Sequence, residues 1–149
     1  MTIAPRIGIV ASRFNESVTS RLLTNCLRSL KNSGVSAGLI TVVRVPGAYE
    51  IPWAVQEMAL SGKFRILIAL GAILRGETPQ NGHIARSTIF HLQRISIETR
   101  IPCILGVITP DDERQALART RGKLDRGRES ALAAVAMLKI RKQLGHGAA

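Results

Sequence analysis

The residues best suited to chemistry lie in one stretch, residues 69–80, with the sequence ALGAILRGETPQ. The apolar run 66–70 predicts a buried strand, which leads through a glycine-containing loop to Thr78 and Pro79. Threonine suits a helix N-cap because its hydroxyl accepts from free first-turn amides, and proline suits the next position. The loop therefore brings the free amides and the positive end of a helix dipole to the mouth of the strand, which predicts a phosphate or carboxylate site. The same pattern also occurs in ordinary strand-to-helix connections, so that alternative stays open.

The elements that position this loop alternate regularly. Apolar runs predict four strands, at residues 6–11, 39–45, 65–70 and 103–108. Apolar residues at helical spacing follow each strand: Val18, Leu22, Cys26, Leu27 and Leu30; residues 51–61; Ile84, Thr88, Leu92 and Ile95; and Leu132, Val135 and Leu138. A second Thr-Pro pair, Thr109 and Pro110, predicts another helix start, followed by two favourable acids, Asp111 and Asp112. This alternation predicts an α/β fold whose parallel sheet is covered by helices on both faces.

Such a fold gathers the strand-to-helix loops at one edge of the sheet, because the crossovers between parallel strands are right-handed. The loops are residues 13–15, 46–50, 71–80 and 109–110. They combine an aromatic ring, a carboxylate, a glycine-lined groove and the predicted anion site. Ligands of open α/β sheets bind at this edge, near the point where the strand order reverses. The sequence therefore predicts a small-molecule site built from several loops.

Length and composition limit the class of protein. A chain of 149 residues fits a single domain, residues 1–149, and 46% apolar with 21% charged residues is typical of a soluble globular protein. Without an apolar run of roughly 20 residues or a signal peptide, we expect a cytoplasmic protein without membrane contact. Cys26 and Cys103 stand alone in apolar contexts, which predicts reduced core cysteines. The three histidines lack metal-ligand spacing, so no metal is predicted.

The net charge of +11 allows two interpretations. Such a charge is typical of nucleic-acid binders, but three Phe, one Tyr and one Trp offer few surfaces on which bases could stack. We therefore expect a basic surface that attracts anionic substrates, and no specific nucleic-acid partner. A basic shell that packages polyanions stays open as an alternative that rests on charge alone.

Four motifs, in this order, carry a resemblance over nearly the whole chain: ASRFN at residues 11–15, VPGAYEIP at 45–52, ALGAILRGETP at 69–79 and GVITP at 106–110. The chain resembles the 6,7-dimethyl-8-ribityllumazine synthase family. The resemblance implies a flavodoxin-like three-layer α/β sandwich with a four-stranded parallel sheet. It also implies a homo-oligomer, at least a pentamer and in some cases a larger shell, with active sites between neighbouring subunits. The implied reaction condenses 5-amino-6-(D-ribitylamino)uracil with 3,4-dihydroxy-2-butanone 4-phosphate, without a metal or organic cofactor.

The resemblance also implies roles for individual residues. Those on the pyrimidine and ribityl side are Phe14, Ala48, Tyr49, Glu50, Ala72, Ile73 and Leu74. Phe14 would stack on the ring, and the Glu50 carboxylate would accept from sugar hydroxyls. Those on the phosphate side are Glu77 and Thr78 at the helix start, Arg119 from the adjacent subunit, and Arg126, with Leu105 touching the substrate across the interface. From the residues alone, Phe14 could instead anchor its loop on the core, and Arg119 could be a solvated helix charge.

One departure from the family pattern concerns catalysis. The family places a proton-relaying histidine after Gly-Glu-Thr-Pro, and this chain has Gln80 there. His83 lies one turn further on and is expected to face roughly the same way, so it is a candidate replacement. A general acid–base group contributes about 10²–10⁴-fold, whereas holding two reactants together can contribute roughly 7–11 kcal/mol. We therefore expect a slow but genuine synthase.

Two further features stay open. The change at Gln80 also fits a non-catalytic paralogue that binds riboflavin or a ribityl-pyrimidine. The loop 121–127 differs from the family pattern and is one residue shorter, with Arg126 in place of a lysine. Because the resemblance connects that loop to shell assembly, the sequence does not choose between a pentamer and a larger shell.

Overall fold

Four parallel strands form the centre of the fold in a computed structural model that describes residues 4–146. The strands are β1 (Ile7–Ser12), β2 (Ile40–Val45), β3 (Ile66–Ala72) and β4 (Cys103–Ile108). Their order across the sheet is β2-β1-β3-β4. Ile7 lies opposite both Ile40 and Ile66, and Leu67 lies opposite Cys103. Every residue of β1 and β3 is buried, as expected for central strands covered on both faces.

Five helices cover the sheet within the described residues: α1 (Glu16–Asn32), α2 (Ile51–Leu60), α3 (Gln80–Thr99), α4 (Glu113–Ala118) and α5 (Arg126–Gln143). Three short 3-10 turns complete the described part of the chain, at Ala37–Leu39, Ala48–Glu50 and Gly122–Leu124. α1 packs against α5 on one face, and α2 packs against α3 on the other. The predicted flavodoxin-like sandwich of three layers is therefore confirmed.

Alternation along the strands divides the buried apolar side chains of β1 between the two faces of the sheet. Ile7 and Ile9 of β1 pack with Leu30 of α1, whereas Val10 packs with Ile51 of α2. α1 and α5 approach closely at Gly127, where a Cβ atom would collide with the carbonyl oxygen of Leu22. A residue larger than glycine would force these two helices apart.

The strand order reverses between β1 and β3, since the chain moves from β1 to β2 on one side and then crosses to β3 on the other. The carboxyl ends of β1 and β3 are therefore neighbours, and their connections leave in opposite directions. This arrangement opens a crevice between the two loops that follow these strands.

The predicted elements are confirmed with small shifts of their ends, apart from two helix starts. Thr109 and Pro110 do not begin a helix: α4 begins at Glu113, and the Asp112 side chain caps it by accepting from the Gln115 amide at 2.8 Å. An aspartate carboxylate is a strong N-cap, which moves the start beyond the Thr-Pro pair. No helix among residues 4–146 is long and apolar enough to cross a membrane. Residues 1–3 and 147–149 lie outside the described residues.

Candidate active site

A cavity of about 350 Å³ lies at the carboxyl ends of β1 and β3, where the strand order reverses. The loops after β1, β2 and β3 and the first turns of α3 form its wall. The lining residues are Phe14, Asn15, Gly47, Ala48, Tyr49, Ala72, Ile73, Leu74, Gly76, Thr78, Gln80, Asn81 and Ile84. The cavity lies at the sheet edge where the loop pattern predicts a small-molecule site.

Phe14 stands on a loop that continues the pairing of β1 with β2. The amides of Arg13 and Phe14 donate to the carbonyl oxygens of Val45 and Pro46, both at 2.8 Å. Phe14 itself is 72% exposed. A ring that anchored the loop on the core would be buried, so this exposure contradicts that alternative. The ring is instead free to cover a planar ligand.

The turn Ala48–Glu50 forms a second wall. Ala48 is buried beneath the cavity, and Tyr49 is 68% exposed beside it. The Glu50 carboxylate accepts from the Gly47 amide at 2.9 Å, which closes the turn. Glu50 is exposed and is not among the lining residues. One of its oxygens therefore already serves the turn, which fixes the position of the carboxylate next to the cavity.

The residues after β3 bring backbone groups to the cavity. The amides of Ile73 and Arg75 donate to the carbonyl oxygens of Ile108 and Pro110, at 2.9 and 3.2 Å. These two bonds extend the pairing of β3 with β4 beyond the strands. Between them, the Leu74 amide has no backbone acceptor within residues 4–146. Leu74 therefore carries a backbone donor that a ligand can use.

The predicted helix cap at Thr78 is wrong. α3 begins at Gln80, Pro79 occupies the N-cap position, and no side chain caps the helix. The Pro79 carbonyl accepts from the His83 amide at 3.3 Å, so the first turn closes one residue later than predicted. In the described part of the chain, the amides of Gln80 and Asn81 have no backbone acceptor. The free amides that an anion site needs are thus present without the threonine cap.

The first turns of α3 present amide and aliphatic groups to the cavity. Gln80, Asn81 and Ile84 line it, whereas His83 is exposed and does not. The expectation that His83 faces the same way as Gln80 is therefore wrong. Glu77 is exposed and lies outside the lining as well. The lining contains no Asp, Glu, Lys, Arg or His, so Tyr49 supplies its only titratable side chain.

A second cavity, of about 340 Å³, lies against β4. Its lining residues are Leu105, Gly106, Val107, Ile108, Thr109, Pro110, Gln115, Arg119 and Arg126. Arg119 is partly buried at the end of α4, and the Arg126 amide donates to its carbonyl oxygen at 2.8 Å. Arg126 also forms an ion pair with Glu129 at 2.8 Å. Leu105, Arg119 and Arg126 therefore come together, in a cavity that shares no lining residue with the first.

The two cysteines lie apart from both cavities. Both are free, and burial raises the pKa of each thiol to about 12, with Asp125 adding to the effect at Cys26. Such thiols stay protonated and are poor nucleophiles at neutral pH. No group of His, Cys, Asp and Glu side chains among residues 4–146 could hold a metal ion.

Several lining residues had no predicted role: Asn15, Gly47, Gly76, Asn81, Ile84 and Gln115. Asn15 belongs to the ASRFN motif, where its position before a helix indicates only a cap. Ile84 follows Gln80 by four residues, a spacing that places the two side chains near the same helix face. Helical spacing from Gln80 therefore contained the signal for Ile84, whereas the role of Asn15 depends on its backbone conformation.

Comparisons with known proteins agree with this geometry. Residues 4–142 match the family model described as 6,7-dimethyl-8-ribityllumazine synthase. A relative of that name from Protochlamydia amoebophila (strain UWE25) is 41% identical over 140 residues, which cover 93% of this chain and 81% of the relative. Another from Azoarcus sp. (strain BH72) is 46% identical over 139 residues, covering 93% and 87%. A third from Chlorobaculum parvum (strain DSM 263 / NCIMB 8327) is 39% identical over 141 residues, covering 94% and 90%. The chain therefore belongs to the 6,7-dimethyl-8-ribityllumazine synthase family of riboflavin biosynthesis.

Proposed function

We propose that this protein condenses 5-amino-6-(D-ribitylamino)uracil with 3,4-dihydroxy-2-butanone 4-phosphate to 6,7-dimethyl-8-ribityllumazine, in the cytoplasm and as a homo-oligomer. One observation carries the proposal: the chain has an uncharged cavity with an exposed aromatic ring and a separate basic cavity on β4. The first has the chemistry for a neutral heterocycle, and the second has the chemistry for a phosphate. Together they match the two substrates.

The uncharged cavity suits the pyrimidine substrate. Phe14 offers an exposed ring for stacking, and the free Leu74 amide offers a donor to the edge of the heterocycle. Glu50 stands beside the cavity, where its second oxygen accepts from ribityl hydroxyls. Ala48 and Ile73 are buried and give the cavity a firm apolar floor. A planar ring with polar edges is the ligand that such walls favour.

The phosphate of the second substrate needs more positive charge than the first cavity offers. The free amides of Gln80 and Asn81 supply partial charge at the start of α3. Arg119 and Arg126 supply full charges, but only in the other cavity of their own chain. These groups form one phosphate site if a neighbouring subunit places its β4 cavity against the start of α3. Leu105 then lies at the contact between the two subunits.

Exposed apolar side chains support an oligomer. Trp53, Phe90, Ile97 and Leu105 are 69%, 61%, 71% and 50% exposed. Large apolar residues left in water in such number mark surfaces that pack against another chain. We propose a pentamer, the smallest assembly that the family resemblance implies, in which a closed ring of identical contacts gives every first cavity a neighbouring β4 cavity.

The protein accelerates this reaction by positioning the two substrates, and not by supplying a side chain that transfers protons. The amine of the pyrimidine attacks the ketone carbonyl at C2 of the butanone phosphate to form a Schiff base with loss of water. Loss of the C3 proton then expels phosphate from C4, and the ribityl-bearing nitrogen closes the ring at C3 with loss of a second water. Gln80 can donate and accept hydrogen bonds but cannot exchange a proton near neutral pH. Because His83 does not line the cavity, we place the proton transfers on solvent and on the substrates themselves. Holding both reactants together then supplies most of the acceleration.

Turnover with both substrates tests the proposal. We expect the purified protein to form the lumazine, detected by absorbance and fluorescence, faster than the protein-free condensation at the same concentrations. The phosphate released should equal the lumazine formed. A rate no higher than that of the protein-free mixture would contradict the proposal.

Gln80 also favours a second candidate, a non-catalytic paralogue that binds riboflavin or a ribityl-pyrimidine. Its cavity would keep the stacking ring and lose only the proton relay. Titration with riboflavin and with the aminouracil distinguishes the two functions. Tight riboflavin binding without turnover would favour the paralogue, whereas turnover with weak riboflavin binding would exclude it.

A further inference from the structure

Asn15 has an unusual backbone conformation at the edge of the first cavity. Its φ and ψ angles are 61° and 50°, in the left-handed region. Apart from glycines, only one other residue in the described part of the chain has a positive φ, the exposed Arg100. L-residues enter this region at a cost, and asparagine enters it more readily than most. The chain therefore makes a sharp left-handed turn immediately after Phe14.

The Asn15 side chain does not cap α1, although Asn15 occupies the N-cap position. An asparagine before a helix normally caps it by accepting from an amide of the first turn, but no such bond is formed at α1. Its Nδ2 instead donates to the carbonyl oxygen of Ala72 at 2.8 Å, 57 residues away at the end of β3. The left-handed turn is what directs this side chain across the crevice.

This bond joins the two sides of the crevice. On one side, the amides of Arg13 and Phe14 hold the loop to Val45 and Pro46 at the end of β2. On the other side, the side-chain amide of Asn15 donates the hydrogen bond that ties the same loop to β3. The ring of Phe14 and the backbone at Ala72 thus keep a fixed separation across the cavity that both of them line.

We propose that Asn15 is a positioning residue that sets the width of the pyrimidine slot, through its bond to the Ala72 carbonyl. This inference rests on the proposed function for the identity of the ligand. Without the bond, the loop is held by its contacts to the end of β2 alone, which then open more often, and it gains freedom relative to β3. If the slot is correctly formed for only part of the time, its apparent affinity for the ligand falls in proportion to that fraction. Binding of the second substrate, at the basic cavity, should not depend on this bond.

Three variants separate the hydrogen bond from the backbone turn. Asn15→Gly keeps the left-handed turn at no steric cost but removes the amide. Asn15→Asp keeps the shape and replaces the donor with an oxygen that repels the Ala72 carbonyl. Asn15→Ala removes the amide and also disfavours the turn. Asn32→Asp, at an exposed position in the last turn of α1, makes the same charge change outside the site.

Binding and kinetics give the first readout. For Asn15→Gly and Asn15→Asp we expect the Kd and KM for the aminouracil to rise roughly threefold to tenfold, the range of one hydrogen bond. The KM for the butanone phosphate should change by less than about twofold. Asn15→Ala should be the weakest binder, and Asn32→Asp should match the parent protein. Equal losses for both substrates, or unchanged aminouracil binding in Asn15→Gly and Asn15→Asp, would overturn the proposal.

Amide hydrogen exchange on the free protein gives a readout that needs no turnover. We expect the Arg13 and Phe14 amides to exchange faster in Asn15→Gly and Asn15→Asp than in the parent, with the core of β1 unchanged and the assembly size the same by light scattering. Unchanged exchange in both variants would overturn the inference. If the parent protein failed to bind the aminouracil, the proposed function would fail, while faster exchange would still support the bond as the device that fixes the slot.

Discussion

Removing the ring of Phe14 should separate binding from folding. Phe14 is 72% exposed, so Phe14→Ala removes few contacts of the folded chain, and its free energy of unfolding should change by less than about 0.5 kcal/mol. The same ring would cover one face of the pyrimidine. Stacking of a base on an aromatic side chain is worth about 1–3 kcal/mol, so the Kd for the aminouracil should rise about 5- to 150-fold.

Two further substitutions show whether stacking is the cause. Phe14→Trp keeps an aromatic face and should bind within a few-fold of the parent protein. Phe14→Leu keeps apolar bulk without a π-face and should fall between the parent and Phe14→Ala. Isothermal titration with the aminouracil measures the affinities, and urea unfolding measures the stability. Parent-like affinity in Phe14→Ala, or a large loss of stability, would refute the reasoning.

The remaining predictions concern phosphate, proton transfer and the thiols. Arg119→Ala should raise the KM for the butanone phosphate about 10- to 150-fold, the 1.5–3 kcal/mol of a charge-assisted contact, with aminouracil affinity intact; equal losses would make Arg119 structural. Gln80→His should raise kcat, by at most the 10²–10⁴-fold of a general acid–base group, and give it a pH dependence near 6.5, while His83→Ala should leave kcat unchanged; a collapse in His83→Ala would make His83 the relay. The thiol pKa of Cys26 and Cys103 is about 12 against an ordinary 9, so unfolded chains lose these protons first, and urea stability should fall between pH 9 and pH 12. Alanine at both cysteines should flatten that fall, and an unaltered fall would assign it to other groups.

Much of the fold could be predicted from the sequence because the signals were local. Apolar runs bounded by glycine and proline predicted the four strands, and alternation with helical segments predicted the parallel sheet. Helix starts were less certain, since several capping residues competed for one start. At α4 the Asp112 side chain, and not the Thr-Pro pair, caps the helix. At α3 the first hydrogen bond of the helix is accepted by the carbonyl oxygen of Pro79.

The sequence predicted most residues of the site, but not that they lie in two separate cavities of one chain. Motifs predicted which loops meet, because parallel topology brings their ends to one edge. Sequence spacing alone did not determine how α3 is rotated about its own axis, and therefore which of its side chains line the cavity. For that reason His83 was expected beside Gln80. The bond from Asn15 to Ala72 links residues far apart in the chain through a left-handed turn. No local pattern distinguishes that arrangement from a helix cap.

The central claim is that one cavity from each of two chains forms one catalytic site, and mixed oligomers test it most directly. Phe14→Ala and Arg119→Ala chains, produced together with different tags and purified through both, would assemble at random. If neighbouring chains share each site, about one quarter of the sites should contain both native residues, and turnover, measured with both substrates well below the KM values of the variants, should recover to about one quarter of the parent rate. If each site lay within one chain, no site would be intact, and turnover would stay at the level of the separate variants. That second result would contradict the account.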